Sequence, residues 1–157
     1  MPAATLLVQY RFAHSALDRN LDGISDDECL ASPEAGGNCI NWVVGHLLSS
    51  RTGVHGLLGL DPAWPESMGA SDAYQRGTTG FQPEQAVPLN QLRAALGQSQ
   101  TAVVAALEQI KPERLAERAT ETMTVGERLA FLGFHESYHI GQTGLLRRVL
   151  GKAGAIK

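Results

Sequence analysis

Two cysteines, Cys29 and Cys39, are all that the 157 residues contain. They could pair, but nothing requires it, and two free thiols are the expectation. No apolar run approaches the length needed to cross a bilayer, so no membrane partner is expected. There is no basic stripe either. Arg147-Arg148 is only a pair, and the formal net charge is −3, which argues against a nucleic-acid binder. The opening Met1-Pro2-Ala3-Ala4-Thr5 lacks the basic-then-apolar layout of a secretory signal, so a cytoplasmic protein is expected. Internal repeats and low-complexity tracts are absent, and almost nothing shows the alternation of a half-buried strand.

With strands set aside, the composition of 43% apolar and 18% charged residues describes one globular, helical domain spanning residues 1–157. Four helical stretches stand out. The first runs roughly from Ala4 to Asn20, with Leu6, Tyr10, Ala13 and Leu17 as its apolar seam; Asp22-Gly23 breaks it. The second runs roughly from Asn38 to Leu60, with Asn38 as N-cap after Gly36-Gly37. Ile40, Val43, Val44, Leu47, Val54, Leu57 and Leu58 share its stripe; His46 lies near the edge and His55 toward the polar side. A long connection, Asp61 to Val87, carries Trp64, Tyr74 and Phe81 as possible anchors. The third helix opens at Pro88 and stops at Lys111-Pro112.

The fourth opens on Thr124-Val125-Gly126-Glu127, a capping-box pattern, and ends near Leu150-Gly151. Its inward stripe reads Phe131, Leu132, His135, Tyr138, His139, Gln142, Leu145, Leu146 and Val149. Small residues Ala130, Gly133, Ser137, Gly141 and Gly144 line the opposite side. Interior glycines are unfavourable in a helix unless a close neighbour compensates. Either a second helix, from this chain or from a dimer partner, presses there, or the stripe is a thin surface face. The pattern predicts an all-α four-helix bundle, with the long connection between helices two and three allowing those two to run parallel.

Three histidines are the candidate site. His135 and His139 sit four apart, so both imidazoles share one helix face. His46 lies in the second helix. If those faces meet, three neutral nitrogens converge on one point, the donor set of an open metal centre. The segment His135-Glu136-Ser137-Tyr138-His139 also matches the zinc-protease pattern His-Glu-x-x-His literally. A protease would need a third ligand downstream and a fold with strands. Only Gln142 and two arginines follow here, so that reading is set aside, and Glu136 is expected at the solvated side or behind the ligands.

At these residues the chain resembles the DinB-like superfamily of four-helix-bundle proteins, including its bacillithiol-transferase branch. Asn41-Trp42-Val43-Val44-Gly45-His46-Leu47 resembles the family's Trp-x-x-x-His on helix two. His135-Glu136-Ser137-Tyr138-His139-Ile140-Gly141-Gln142 resembles its helix-four motif of two histidines with a trailing Gly-Gln. The resemblance implies an up-down-down-up bundle and a divalent metal ion held by His46, His135 and His139. It also implies frequent homodimers and relatives that use low-molecular-weight thiols.

Three histidines leave a coordination position open, as at catalytic zinc-type sites, and imidazole suits zinc or nickel, with copper and iron also accepted. A cation there would lower the pKa of a thiol or of water. The expected function is a thiol-dependent S-transferase on a small-molecule substrate. The alternatives are a metal-dependent hydrolase or a non-catalytic metal- or ligand-binding stress-response protein. Tyr138 and Gln142 are candidates to hydrogen-bond a ligand or substrate. Ser99 is expected to make room, His14 to be exposed or capping, and Cys39 to be too far from His46 to ligate, though a thiol at a helix N-terminus can have a lowered pKa.

Overall fold

In the computed structural model, residues 2–33, 37–77 and 81–156 are described. Six helices and no strands are found among them. Four are long: α1 (Ala3–Leu21), α3 (Ile40–Leu58), α4 (Leu89–Gln109) and α6 (Val125–Val149). Two short ones, α2 (Asp26–Leu30) and α5 (Pro112–Ala116), lie outside the four expected stretches. At five residues each they are too short to show a period. α2 exists because Ser25 and Glu28 close a capping box around it. No described helix is long and apolar enough to cross a membrane.

Most helix ends follow local chemistry. Thr124 and Glu127 form the expected capping box at the start of α6. Pro88 is the residue before α4 rather than its first turn. α3 is entered through Cys39, not Asn38; Gly36 lies outside the described residues. Gly59 ends α3 in the left-handed region at φ 71°, where a glycine carries no penalty. The Asp61–Val87 connection is built of short turns at Glu66–Met68, Asp72–Tyr74 and Pro83–Gln85. Tyr74 is its main anchor. Its ring is buried, its hydroxyl donates to Asn41 Oδ1 at 2.9 Å, and Val87 N–H donates to that hydroxyl at 2.8 Å.

α1 packs against α4 and α6, and α3 packs against the same two. The interior divides into two apolar clusters. One gathers Leu17, Leu21, Val43, Leu47, Leu92 and Leu96; the other gathers Leu6, Tyr10, Val54, Val103, Leu107 and Leu129. Between them in chain position on the last three long helices lie Arg51, Ser99, Gln100 and Glu136, all buried.

The core-facing side of α6 differs from the expected stripe. Phe131, Tyr138, Leu145 and Val149 are exposed, while Leu129, Gly133, Glu136, Ile140 and Thr143 are buried. Small and polar residues face inward because α1 lies close against them. The amide of Gln9 lies where a Cβ on Gly133 would project, and the amide of Asn20 would sit 3.2 Å from a Cβ on Gly144. Asn20 Nδ2 donates to the Ile140 carbonyl and to Thr143 Oγ1, both at 3.1 Å. The neighbour expected along the small-residue stripe is therefore α1 of the same chain at those two positions. Gly141 has open space beside it.

Candidate metal centre

His46 on α3 meets His135 and His139 on α6, and their ligand nitrogens all lie within 4.8 Å of one another. His135 Nε2 is 3.4 Å from His46 Nε2 and 3.1 Å from His139 Nε2. His46 is buried and the other two are half-buried, so the cluster sits where the interior reaches the surface.

The far nitrogens decide the protonation. His46 Nδ1 lies 2.8 Å from the Tyr74 carbonyl, which can only accept, so Nδ1 carries the proton and Nε2 a lone pair. His139 Nδ1 lies 2.8 Å from Gln142 Oε1, which fixes the same tautomer. Two lone pairs thus point at His135 Nε2, and a single proton there could satisfy only one of them. Metal–nitrogen bonds of about 2.0–2.1 Å in a tetrahedral set place donors about 3.3 Å apart. The observed spacing and the inward lone pairs fit a divalent cation. His135 Nδ1 is buried without a hydrogen-bond partner, which leaves that ring the least constrained of the three.

Electrostatics favour the same neutral state. Burial, then the neighbouring His139, His46 and Arg76, push the His135 imidazole down to about 4. Burial also lowers His139, opposed by its bond to Gln142. Neutral imidazole is the form that ligates. The indole of Trp42, one turn before His46, stacks on that ring at 4.8 Å and 7°. Trp42 Nε1 in turn donates to the Ala73 carbonyl at 3.0 Å. The Asp72–Tyr74 turn therefore holds both the ligand and the ring that backs it.

Of the other residues read from the sequence, Gln142 bears on the site directly. Tyr138 is exposed but packs edge-on to His139, ring centres 5.2 Å apart. His14 sits on α1 beside Asp18, its Nε2 3.6 Å from the carboxylate, and lines a groove between α1 and α4. His55 is not on a polar side. It is buried, its Nδ1 bonds the Asp61 carbonyl, and Ser99 Oγ lies 2.8 Å from its Nε2, so Ser99 clips α4 to α3. Both cysteines are free and buried. Burial pushes Cys39 up despite its helix-N-terminal position, and pushes Cys29 up to about 11. Neither is an activated thiol.

Glu136 departs furthest from expectation. It is buried with its carboxylate oxygens 2.5 and 2.9 Å from Arg51 Nε and Nη2. Burial pushes its carboxyl up, and the Arg51 guanidinium opposes that. A rotation of about 100° per residue turns it away from the histidines. The protease-like pattern is thus a coincidence of letters, since its glutamate cannot act as a base toward the site. The missed partner, Arg51, gave one sequence signal: an arginine seven residues beyond Val44 and three before Val54, inside the apolar stripe of α3.

The sequence model of the DinB superfamily matches residues 9–143. A crystal structure described as the conserved protein of a locus from Enterococcus faecalis superposes with a TM-score of 0.76 over 97% of this chain and 99% of that one, at 20% identity. That likeness shows the fold. No curated protein matches. The all-helical fold and the family match over most of the length give one assignment: the chain belongs to the DinB superfamily.

Proposed function

We propose that this protein is a metal-dependent enzyme in which His46, His135 and His139 hold a divalent ion, zinc or nickel, that serves a thiol-dependent S-transfer to a small electrophile. The observation that carries the reading is the convergence of three imidazole nitrogens within 4.8 Å, two of them with tautomers fixed by acceptors behind the rings. When bound, such an ion lowers the pKa of a thiol or a water and offers an open coordination position.

The chain's own residues supply the rest. Tyr74 and Gln142 orient two of the rings. Trp42 excludes water from one face of His46. Tyr138 stands at the exposed edge of His139, where its ring can border an incoming substrate. Cys29 and Cys39 are buried and their thiols are held protonated, so the reactive thiol in this reading comes from a small co-substrate.

The reading extends to the assembly. One domain with up-down-down-up helix order is supported by two sets of contacts. Tyr10 meets Leu129 and Asn20 meets Ile140, positions that rise together along α1 and α6. His46 lies level with His135 and His139, and Gly53 with Leu132, positions that run oppositely along α3 and α6. A homodimer is supported by the exposed apolar side chains Phe134, Tyr138 and Leu145 on α6.

Metal analysis of protein purified without a histidine tag is the first test, and about one ion per chain is expected. Turnover of an electrophile panel with and without an added small thiol is the second. Metal without thiol-dependent turnover would leave a hydrolase or a binding protein and remove the transferase reading.

A further inference from the structure

The proposed centre takes its ligands from two separate helices, so it exists only at one axial offset between α3 and α6. A slip of one turn would move the rings apart by about 5.4 Å. Apolar packing alone specifies that offset weakly, because hydrocarbon contacts are non-directional. The α6 face toward the interior also has few large apolar side chains to interlock.

We propose that the Arg51–Glu136 pair is the register lock of the metal centre, a pair of positioning residues that set the offset at which His46 meets His135 and His139. The inference rests on the tri-histidine reading above and explains how this chain builds it. Glu136 directly follows the ligand His135. Arg51 follows His46 by five residues, about 7.5 Å along the axis. Two parallel bonds join guanidinium and carboxylate, Nε to Oε1 and Nη2 to Oε2. That fork closes at one register only, and any other leaves a buried charge unpaired.

The remaining long helices tie into the same layer. Arg51 Nη2 donates to Gln100 Oε1 of α4 at 2.9 Å, and Gln100 Nε2 donates to the Tyr10 carbonyl of α1 at 3.3 Å. The guanidinium carbon lies 5.3 Å from the centre of the Tyr10 ring, and the Tyr10 hydroxyl donates to the Leu129 carbonyl of α6 at 2.9 Å. In chain position the layer lies between the two apolar clusters and meets the second through Tyr10. Buried ion pairs are poor sources of stability but are known devices for specifying register.

The test separates register from stability. Replacing both partners with apolar side chains, Arg51→Met with Glu136→Leu, removes the fork without stranding a charge. The thermal midpoint of the metal-free protein is expected to stay at or above that of the wild type. Zinc affinity, from competition with a chromophoric chelator, is expected to fall at least about 10-fold, the lower bound for loss of an outer-shell support. The visible spectrum of the cobalt-loaded double variant is expected to lose the tetrahedral intensity of the wild type. Leu107→Ala, a buried site on α4 outside the layer, serves as control: its midpoint should drop while zinc affinity holds.

If the double variant does not fold, Glu136→Gln, which keeps the shape and one acceptor, takes its place with the same readouts. Zinc bound equally by the wild type and the variant overturns the lock and leaves the centre intact. A wild type that binds no zinc, nickel or cobalt overturns the centre and the lock together.

Discussion

Tyr74 holds His46 from behind: its carbonyl accepts the Nδ1 proton at 2.8 Å, while its ring fills the space beside Gly45. A Cβ at position 45 would overlap that ring. The ring has little freedom to yield, because its hydroxyl is bonded on two sides, to Asn41 and to Val87.

Gly45→Ala therefore tests how strongly the turn supports the ligand. Overpacking costs about 1–3 kcal/mol, partly offset by about 0.5–1 kcal/mol of improved helix propensity. A lowered denaturation midpoint is expected, together with weaker zinc binding, because the Tyr74 carbonyl must move with its ring. Unchanged affinity in a destabilised variant would show that the carbonyl does not matter to the metal.

Removing a ligand should do more. His135→Ala is expected to weaken zinc binding by more than about 100-fold, beyond the loss typical of outer-shell groups, with helical content retained. His14→Ala, which alters a ring beside Asp18 on α1, should leave affinity unchanged. Equal affinity of His135→Ala and wild type, read by chelator competition, would count against the assignment.

The family motif was readable because its residues are chemically rare: three histidines in two helical segments. Helix existence was readable for α1, α3 and α4 because apolar residues, Leu, Val and Ile with Tyr10 and Ala13 on α1, recur along one side of each. The facing of α6 was not, because its inner side is Gly133, Glu136, Ile140 and Thr143 and its outer side carries Phe131, Tyr138 and Leu145. Hydrophobic contrast points the wrong way there. The buried fork of Arg51 and Glu136 hid for a related reason. Each reads as a solvated charge until its partner, eighty-five positions away, is brought alongside.

Gln142 is the acceptor for His139 Nδ1, so Gln142→Leu should free that ring to change tautomer and tilt. Outer-shell losses of this kind cost about 10–100-fold in affinity. Gln142→Glu, which restores a stronger acceptor, is expected to recover zinc binding to at least the wild-type value. Failure of that rescue would mean that Gln142 supports the site by bulk alone.

The pH dependence of the metal-free protein follows from the depressed histidines. In the unfolded chain His135 and His139 titrate near the ordinary 6.5. In the folded chain His135 sits at about 4 and His139 is also lowered, both chiefly through burial. Between those values the unfolded chain binds more protons, so folding stability is fully present above about pH 6.5 and falls as pH drops toward 4. Urea midpoints measured across that window should fall with acidity in the wild type. They should fall less in a His135→Gln variant.

The outer face of α6 yields the last prediction. Phe134, Tyr138, Leu145 and Val149 are 64%, 60%, 65% and 60% exposed, and Phe12 of the adjacent α1 is 74% exposed. Gly141 lies among them with nothing beside it, so a side chain from outside could enter there. Aromatic side chains carry about 150–250 Å² each, and a stable dimer buries about 800 Å² per partner. The exposed area of these residues together is of that order. A two-fold axis running across α6 would set this face against its own copy. Leu145→Glu places a charge at the face without touching the core, so the fold should survive and the mass by light scattering should halve. Phe134→Glu should do the same. Both variants and the wild type running at the monomer mass would remove the dimer, and the exposed stripe would then border the metal centre alone, with Tyr138 as its point of contact.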